Sequence, residues 1–239
     1  MLALHEVTKK VGRGRRSRTI LDSISWQIAR RAKISILGHP GSGKSILLGI
    51  LAGTQLPTIG SVERRGTVSP VGSLTRHAGG LTTPRQLVER LAPFLHYDPA
   101  QMSRFVDEFA ELGAAMDVPV KYLVPKVVQA LNLALFYGAP CDYYLFDQRI
   151  ALGPRDFQAK AWEAFSQRCK HAGVILTTSL PKEARKLGGS GAILHRGKIT
   201  FFEDVEDAIG VFATIPPDVQ PTNMRRRVEE PAEEPELEY

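Results

Sequence analysis

Cysteine is scarce in this sequence, which has only Cys141 and Cys169 among its 239 residues. Two cysteines at that separation provide neither a disulfide framework nor a metal-binding spacing. Long hydrophobic runs are absent as well. The longest candidate, 127–140, is interrupted by Gln129 and Asn132 and falls short of the roughly 18 residues that a membrane span needs. The first residues lack the basic start and apolar stretch of a signal peptide. We therefore expect a soluble, cytoplasmic chain.

Aromatic residues are missing from the one dense basic cluster, which consists of Arg13, Arg15, Arg16 and Arg18. Surfaces that bind single-stranded nucleic acid combine positive charge with stacking side chains, whereas glycine and serine separate these arginines. We expect a solvated hairpin loop and no nucleic-acid partner, with phospholipid headgroups as an alternative contact. The net charge is +6, yet the segment 215–239 is rich in proline and glutamate, and this composition predicts a disordered acidic tail.

The most informative stretch follows the apolar run 34–37 and matches the phosphate-loop pattern G-x-x-x-x-G-K-[ST]. Its members are Gly38, His39, Pro40, Gly41, Ser42, Gly43, Lys44 and Ser45, and Ile46 begins the next apolar run. The glycines leave room for backbone amides around a phosphate, and the following helix adds partial positive charge. The pattern predicts that Lys44 contacts the β- and γ-phosphates of a nucleotide and that the Ser45 hydroxyl binds Mg²⁺. His39 and Pro40 are expected only to shape the loop.

Strand and helix patterns alternate around this loop. The predicted strands are 20–28, 143–146, 174–178, 192–194 and 199–202, and the predicted helices include 125–138, 157–171 and 181–187. We predict a nucleotide-binding domain over 1–214 with an inserted helical subdomain at about 84–138. The expected fold class is α/β, a P-loop NTPase whose largely parallel sheet is covered on both faces. An antiparallel β region is expected at the amino terminus.

A carboxylate follows the predicted strand 143–146 at Asp147. In P-loop enzymes an acidic residue at such a strand end helps to hold Mg²⁺. We therefore predict that Asp147 and Ser45 share a metal site, and the alternative is an aspartate that only ends a strand.

With these elements in place, the chain resembles the nucleotide-binding subunit of an ABC transporter. The segments 105–113 and 116–121, the CDYYLFD sequence at 141–147 and the Ala-Leu-Gly at 151–153 are similar to capsular-polysaccharide exporter ATPases. The resemblance covers residues 1 to about 212. It implies a head-to-tail dimer that binds ATP and Mg²⁺ at the inner face of the cell membrane. It also implies an integral-membrane permease partner that exports a lipid-linked polysaccharide.

Several residues depart from that family's pattern. Gln148 stands where the family has a glutamate that activates water, and an amide cannot accept the proton. Ser179 stands at the position of the switch histidine, and 122–126 replaces a signature of serine and glycines. Residues 77–79 lack the expected glutamine, and Pro154 replaces an aspartate. We therefore predict ATP binding with weakened hydrolysis, by a homodimer or by a heterodimer with a competent ATPase subunit.

Two other functions compete with this interpretation. The chain could be a non-enzymatic structural or regulatory subunit of the polysaccharide export machinery. It could also be a P-loop kinase or GTPase, which we favour least because the insert lacks an arginine-rich lid and no Asn-Lys-x-Asp guanine motif occurs.

Overall fold

The computed structural model describes residues 1–12, 14, 17–75, 79, 81–148 and 157–217. Its strands are β1 (Leu2–Val11), β2 (Arg18–Ile28), β3 (Lys33–Leu37), β4 (Ile59–Arg64), β5 (Tyr143–Asp147), β6 (Gly173–Thr178), β7 (Ser190–His195) and β8 (Lys198–Phe202). Its α-helices are α1 (Lys44–Ala52), α2 (Pro84–Phe94), α3 (Pro99–Ala110), α4 (Pro125–Tyr137), α5 (Gln158–Cys169), α6 (Pro181–Leu187) and α7 (Val205–Thr214). Two short 3₁₀ helices lie at Gly113–Asp117 and Val120–Tyr122.

The strands form two sheets. The five-stranded sheet has the order β5-β6-β3-β7-β8, in which the first four strands run parallel and β8 is antiparallel to β7. The smaller sheet has the order β2-β1-β4 and is antiparallel. The predicted α/β architecture, with a largely parallel sheet and an amino-terminal antiparallel region, is confirmed.

Helix α1 lies between the two sheets. Its residues Leu47, Leu48, Ile50 and Leu51 are fully buried in one cluster with side chains from β1 and β2 on one side and from β3, β5, β6 and β7 on the other. A helix enclosed in this way needs apolar residues around most of its circumference. The apolar sequence after the phosphate loop meets that need.

The other face of the large sheet is covered by the helical insert and α5 beside β5 and β6, and by α6 and α7 beside β3 and β7. Tyr144 and Phe146 of β5 point into a second cluster with α2 to α5, whereas their neighbours Tyr143 and Leu145 join α1. Because successive strand residues alternate between faces, a strand covered on both faces is apolar throughout. This explains the continuous run of apolar residues in β5.

Proline marks the start of each helix of the insert. Pro84, Pro99 and Pro125 occupy the first turns of α2, α3 and α4, where a missing backbone N–H costs nothing. Thr83 and Gln86 also form a reciprocal capping box at the start of α2. The helices therefore lie within the segment where the sequence pattern predicts them, while the domain boundaries themselves stay a prediction.

Two elements have no counterpart in the sequence analysis. Strand β4 begins inside a turn-like sequence, with Gly60 at a φ of 86°, and its residues are largely exposed. Helix α7 does carry a signal, because Val205, Ala208, Ile209 and Phe212 recur at helical spacing and are all buried. Among the described residues, no helix is both long and apolar enough to cross a bilayer.

Some predicted features lie outside the described residues. They are Arg13, Arg15 and Arg16 of the basic cluster, the segments 76–78 and 149–156, and the acidic tail from 218 onward.

Candidate nucleotide-binding site

The phosphate loop connects the carboxyl end of β3 to the first turn of α1. Gly41 and Gly43 have backbone φ angles of 84° and 103°, which residues other than glycine rarely adopt. A Cβ atom on Gly43 would lie 2.8 Å from Ile20 Cγ2. The loop therefore needs glycine at position 43 for its backbone conformation and for its close approach to β2.

Lys44 is buried at the start of α1, with 4% of its surface exposed. Its Nζ atom donates to the carbonyl oxygens of Gly38 at 2.7 Å and His39 at 2.9 Å. Burial lowers the pKa of the Lys44 ammonium, and the nearby Asp147 carboxylate partly opposes that shift. The lysine is thus held inside the loop by neutral carbonyl groups.

A further polar group of the loop lacks a partner. Ser42 Oγ is buried and makes no hydrogen bond to any described residue. A buried hydroxyl without a partner is costly, and such atoms are uncommon in native structures. Together with the loop amides and the start of α1, it forms a concave set of donors that suits an anion.

Asp147 lies opposite the first turn of α1. The Ser45 hydroxyl donates to Asp147 Oδ2 at 2.7 Å, and the Thr177 hydroxyl donates to Asp147 Oδ1 at 3.0 Å. Asp147 and Thr177 are paired residues of the parallel strands β5 and β6. The structure therefore brings the two predicted metal ligands, Ser45 and Asp147, into contact.

Thr177 was missed as a site residue in the sequence analysis, which placed it only in a strand. A signal for it existed, because the carboxyl ends of neighbouring parallel strands meet at one edge of a sheet. A polar residue near the end of β6 therefore lies close to the aspartate that ends β5.

Gln148 and Ser179 are also in contact, although 30 residues of chain separate them. Ser179 Oγ donates to Gln148 Oε1 at 3.3 Å, and Gln148 Nε2 lies 3.5 Å from Asp147 Oδ1. Gln148 adopts a positive φ of 72°. Two hydrogen bonds hold its backbone. The Gln148 N–H donates to the Thr177 carbonyl oxygen at 2.6 Å, and the Thr178 hydroxyl donates to the Gln148 carbonyl oxygen at 2.9 Å. These contacts leave the amide nitrogen of Gln148 directed at the carboxylate.

The remaining loop positions have different surroundings. Pro40 is exposed, Ile46 packs at the edge of the core around α1, and His39 is half-buried against α7.

The segment that replaces the family signature lies at the start of α4. There Val124 provides no side-chain cap and Tyr122 is 66% exposed. Among the described residues, no three His, Cys, Asp or Glu side chains are grouped closely enough to hold a metal.

Comparison with known proteins identifies the family. Residues 21–121 match the family model for the ABC transporter. The ATP-binding protein BexA of Haemophilus influenzae is 31% identical over 210 residues, which cover 87% of this chain and 96% of that protein. The chain belongs to the ABC transporter family.

Other relatives of this ABC transporter protein carry similar names. The capsule polysaccharide export ATP-binding protein CtrD of Neisseria meningitidis serogroup B is 29% identical over 218 residues, 90% of this chain and 100% of the relative. The polysialic acid transport ATP-binding protein KpsT of Escherichia coli is 25% identical over 213 residues, 87% of this chain and 95% of the relative. Similarity to capsule-export ATP-binding proteins therefore extends along most of this chain.

Solved structures agree on the fold. A dimeric bacterial ABC transporter cassette superimposes with a TM-score of 0.69 at 19% identity and covers 86% of this chain and 99% of its own. The same cassette bound to ADP and phosphate gives a TM-score of 0.67 at 20% identity, over 84% and 98% of the two chains. At these identities the likeness establishes the ABC cassette fold.

Proposed function

We propose that this chain is the ATP-binding subunit of an ABC transporter that exports a capsular or other surface polysaccharide. In this proposal it binds Mg-ATP, hydrolyses it slowly and works at the cytoplasmic face of the cell membrane. Capsule-export relatives that align over most of the chain support the transport role. The single observation that carries the nucleotide role is the formed phosphate loop, with Lys44 buried inside it and Ser45 bonded to Asp147.

The donor groups of the loop suit a polyphosphate. Burial lowers the pKa of Lys44 because it disfavours the charged ammonium. Negatively charged phosphate oxygens would favour the ammonium again and so oppose that shift. They also offer Ser42 Oγ the hydrogen-bond acceptor that it lacks among the described residues. Both groups are neighbours in the turn that opens α1, where the helix dipole favours negative charge.

Ser45 and Asp147 suit Mg²⁺. This ion prefers oxygen ligands, retains several water molecules, and commonly takes one or two protein groups together with substrate phosphates. One hydroxyl and one carboxylate in contact at 2.7 Å match that preference. When bound, Mg²⁺ neutralises charge on the β- and γ-phosphates.

Slow hydrolysis is proposed because, among the described residues, the side chains that contact Asp147 are those of Ser45, Gln148 and Thr177, and none of them is a general base. The Gln148 amide can hold a water molecule but cannot remove its proton, and a general base typically contributes about 10²–10⁴-fold to a rate. Ser179 donates its hydroxyl to Gln148 Oε1, so that acceptor is engaged. Since a homodimer would contain two such sites, we propose a heterodimer in which a competent ATPase subunit supplies turnover.

An exposed apolar groove on the helical insert is our candidate surface for the permease. Leu87 and Leu91 of α2 line it together with Leu74 and Leu135, Arg90 also borders it, and the Phe94 side chain is 82% exposed. The large exposed ring of Phe94 beside this groove is suited to pack against an apolar partner. An apolar segment on the cytoplasmic side of the permease is the partner that we propose for it.

The first experiment measures Mg-ATP binding and turnover by the purified chain. We expect binding with slow turnover in the wild type, loss of binding in Lys44→Ala, and unchanged binding in Lys170→Ala, which removes an exposed lysine at the end of α5. Rapid turnover that Lys44→Ala abolishes would refute slow hydrolysis. Absence of binding by the wild type would refute the nucleotide role.

A second experiment separates ATP-dependent transport from the structural alternative, which the glutamine and serine at positions 148 and 179 favour. Polysaccharide export is measured in cells that carry Lys44→Ala. Export that continues at the wild-type level indicates a structural subunit.

A third experiment tests the permease surface. We expect Phe94→Asp to reduce co-purification with the permease. Leu56→Asp should leave co-purification unchanged, because Leu56 is 78% exposed on a different part of the surface.

A further inference from the structure

The side chain of His39, inside the phosphate loop, contacts the last turn of α7. Its ring lies 4.7 Å from the ring of Phe212, with an interplanar angle of 31°. Its Nε2 atom lies 2.8 Å from the carbonyl oxygen of Ile215, the C-cap residue of α7. A carbonyl oxygen can only accept, so Nε2 carries the proton and donates. Two separate interactions therefore hold one loop side chain to one helix end.

Helix α7 is itself firmly seated. Ala208, Ile209 and Phe212 are buried in a cluster with Leu37, the residue that ends β3 just before the loop, and with Ile193 of β7. The close packing of α7 on β7 is visible at position 191, where a Cβ atom in place of the glycine hydrogen would collide with Ala208. The helix end can therefore act as a fixed reference for the loop.

The backbone of His39 faces the opposite direction, into the site. Its carbonyl oxygen accepts from Lys44 Nζ at 2.9 Å and from the backbone N–H of Ser42 at 3.1 Å. The same residue therefore contacts α7 through its ring and the phosphate-binding groups through its carbonyl. Movement at the end of α7 would displace the atoms around Lys44.

We propose that His39 is a positioning residue that ties the phosphate loop to the end of α7 and sets the loop in its anion-binding shape before nucleotide arrives. This inference rests on the proposed nucleotide function and deepens it. A loop that is already ordered binds with a smaller entropic cost. Because coupling of this kind is reciprocal, nucleotide binding also strengthens the attachment of α7, from which the acidic carboxyl-terminal segment continues.

The test compares four single variants, and the double variant His39→Leu with Phe212→Leu, by two measurements. His39→Leu removes the donor and keeps apolar bulk, while His39→Gln restores an N–H donor. Phe212→Leu removes the ring contact, and Phe201→Leu is the matched control because it removes a ring from the Trp26 pair at 5.1 Å, away from the loop. ATP affinity is measured by calorimetry, and hydrogen exchange is followed in loop peptides of the nucleotide-free protein.

We expect His39→Leu and Phe212→Leu each to weaken ATP binding about 3- to 10-fold, the range for loss of one hydrogen bond or aromatic pair. Hydrogen exchange of the loop amides should accelerate in both variants. The double variant should lose less ATP-binding free energy than the sum of the losses in the two single variants. His39→Gln restores the donor but not the ring contact, so it should bind ATP more tightly than His39→Leu and less tightly than wild type. Phe201→Leu should match wild type.

Unchanged affinity and unchanged loop exchange in His39→Leu would overturn the proposal. The proposal would also be overturned if His39→Gln bound ATP no better, and exchanged its loop amides no more slowly, than His39→Leu, because the hydrogen bond to Ile215 would then contribute nothing. If the wild type binds no ATP, the nucleotide function fails, and the exchange comparison in the nucleotide-free protein still decides whether His39 orders the loop.

Discussion

The substitution Gln148→Glu tests the polar network beside Asp147, because it turns an amide into a carboxylate of the same size. Gln148 Nε2 lies 3.5 Å from Asp147 Oδ1, so an unmoved glutamate would bring two negative charges to about that separation. At an effective dielectric constant of about 20, this repulsion amounts to roughly 5 kcal/mol. Residue 148 is half-buried, so the new carboxylate can turn toward water. We expect the free energy of unfolding to fall by about 1–2 kcal/mol at pH 7.

Urea denaturation without divalent cations measures this loss, with Gln148→Met as an uncharged control of similar length. Repulsion raises the folded-state pKa of the introduced carboxyl above its ordinary value of about 4.3. The loss is therefore fully present above that raised pKa and disappears as the pH falls below the unfolded-state value of about 4.3, where the carboxyl becomes protonated in both states. Adding Mg²⁺ and ATP should also reduce the loss, since a cation beside Asp147 offsets the repulsion.

Two results would refute this reasoning. The first is a glutamate variant as stable as wild type at pH 7 without Mg²⁺. The second is a loss that is equal in the glutamate and methionine variants at every pH, because the effect would then come from missing hydrogen bonds and not from charge.

The remaining predictions concern polar side chains that are buried or partly buried, with an exposed residue as one control. Tyr137→Phe should leave the urea midpoint unchanged or raise the stability by up to about 1 kcal/mol, because the Tyr137 hydroxyl is buried without a partner among the described residues and burial raises its pKa. Tyr144→Phe should cost about 1–2 kcal/mol in the same assay, since that hydroxyl donates to Ala139 O and accepts from Cys141 N, both at 3.1 Å. Asn132→Leu should lower the stability by about 2–3 kcal/mol, because the Asn132 amide forms hydrogen bonds with side chains and a backbone N–H of the 73–75 loop. Its control, Gln129→Leu on the exposed side of α4, should change the stability by less than about 0.5 kcal/mol. Equal losses in the members of either pair would contradict these assignments.

The parts of the site that were predictable from sequence are those encoded by adjacent residues. The eight-residue phosphate-loop motif specifies the positions of its glycines, Lys44 and Ser45, so the shape of the loop follows from consecutive residues. Asp147 was predictable because it ends a short apolar strand, and its contact with Ser45 follows from the parallel order of the sheet.

The rest depends on contacts between distant residues. Gln148 and Ser179 were noted separately, and only the pairing of β5 with β6 brings them together. The contact of His39 with α7 spans 176 residues, and no local pattern encodes it. Strand β4 was missed because its residues are mostly exposed and alternate poorly, so period-2 patterning gives little signal for such an edge strand.

The position of α1 between two sheets has a consequence for synthesis on the ribosome. The helix is made early, yet its buried side chains also pack on Leu145, Ile175 and Leu194, which emerge much later. At about 5–20 residues per second, roughly 7–29 s separate the synthesis of Ala52, the end of α1, from that of His195, the end of β7. During that interval the α1 segment is an apolar stretch without its enclosing partners. Nascent chains should therefore depend on chaperones until β7 has left the exit tunnel, and they should acquire a nucleotide-binding loop only after that point.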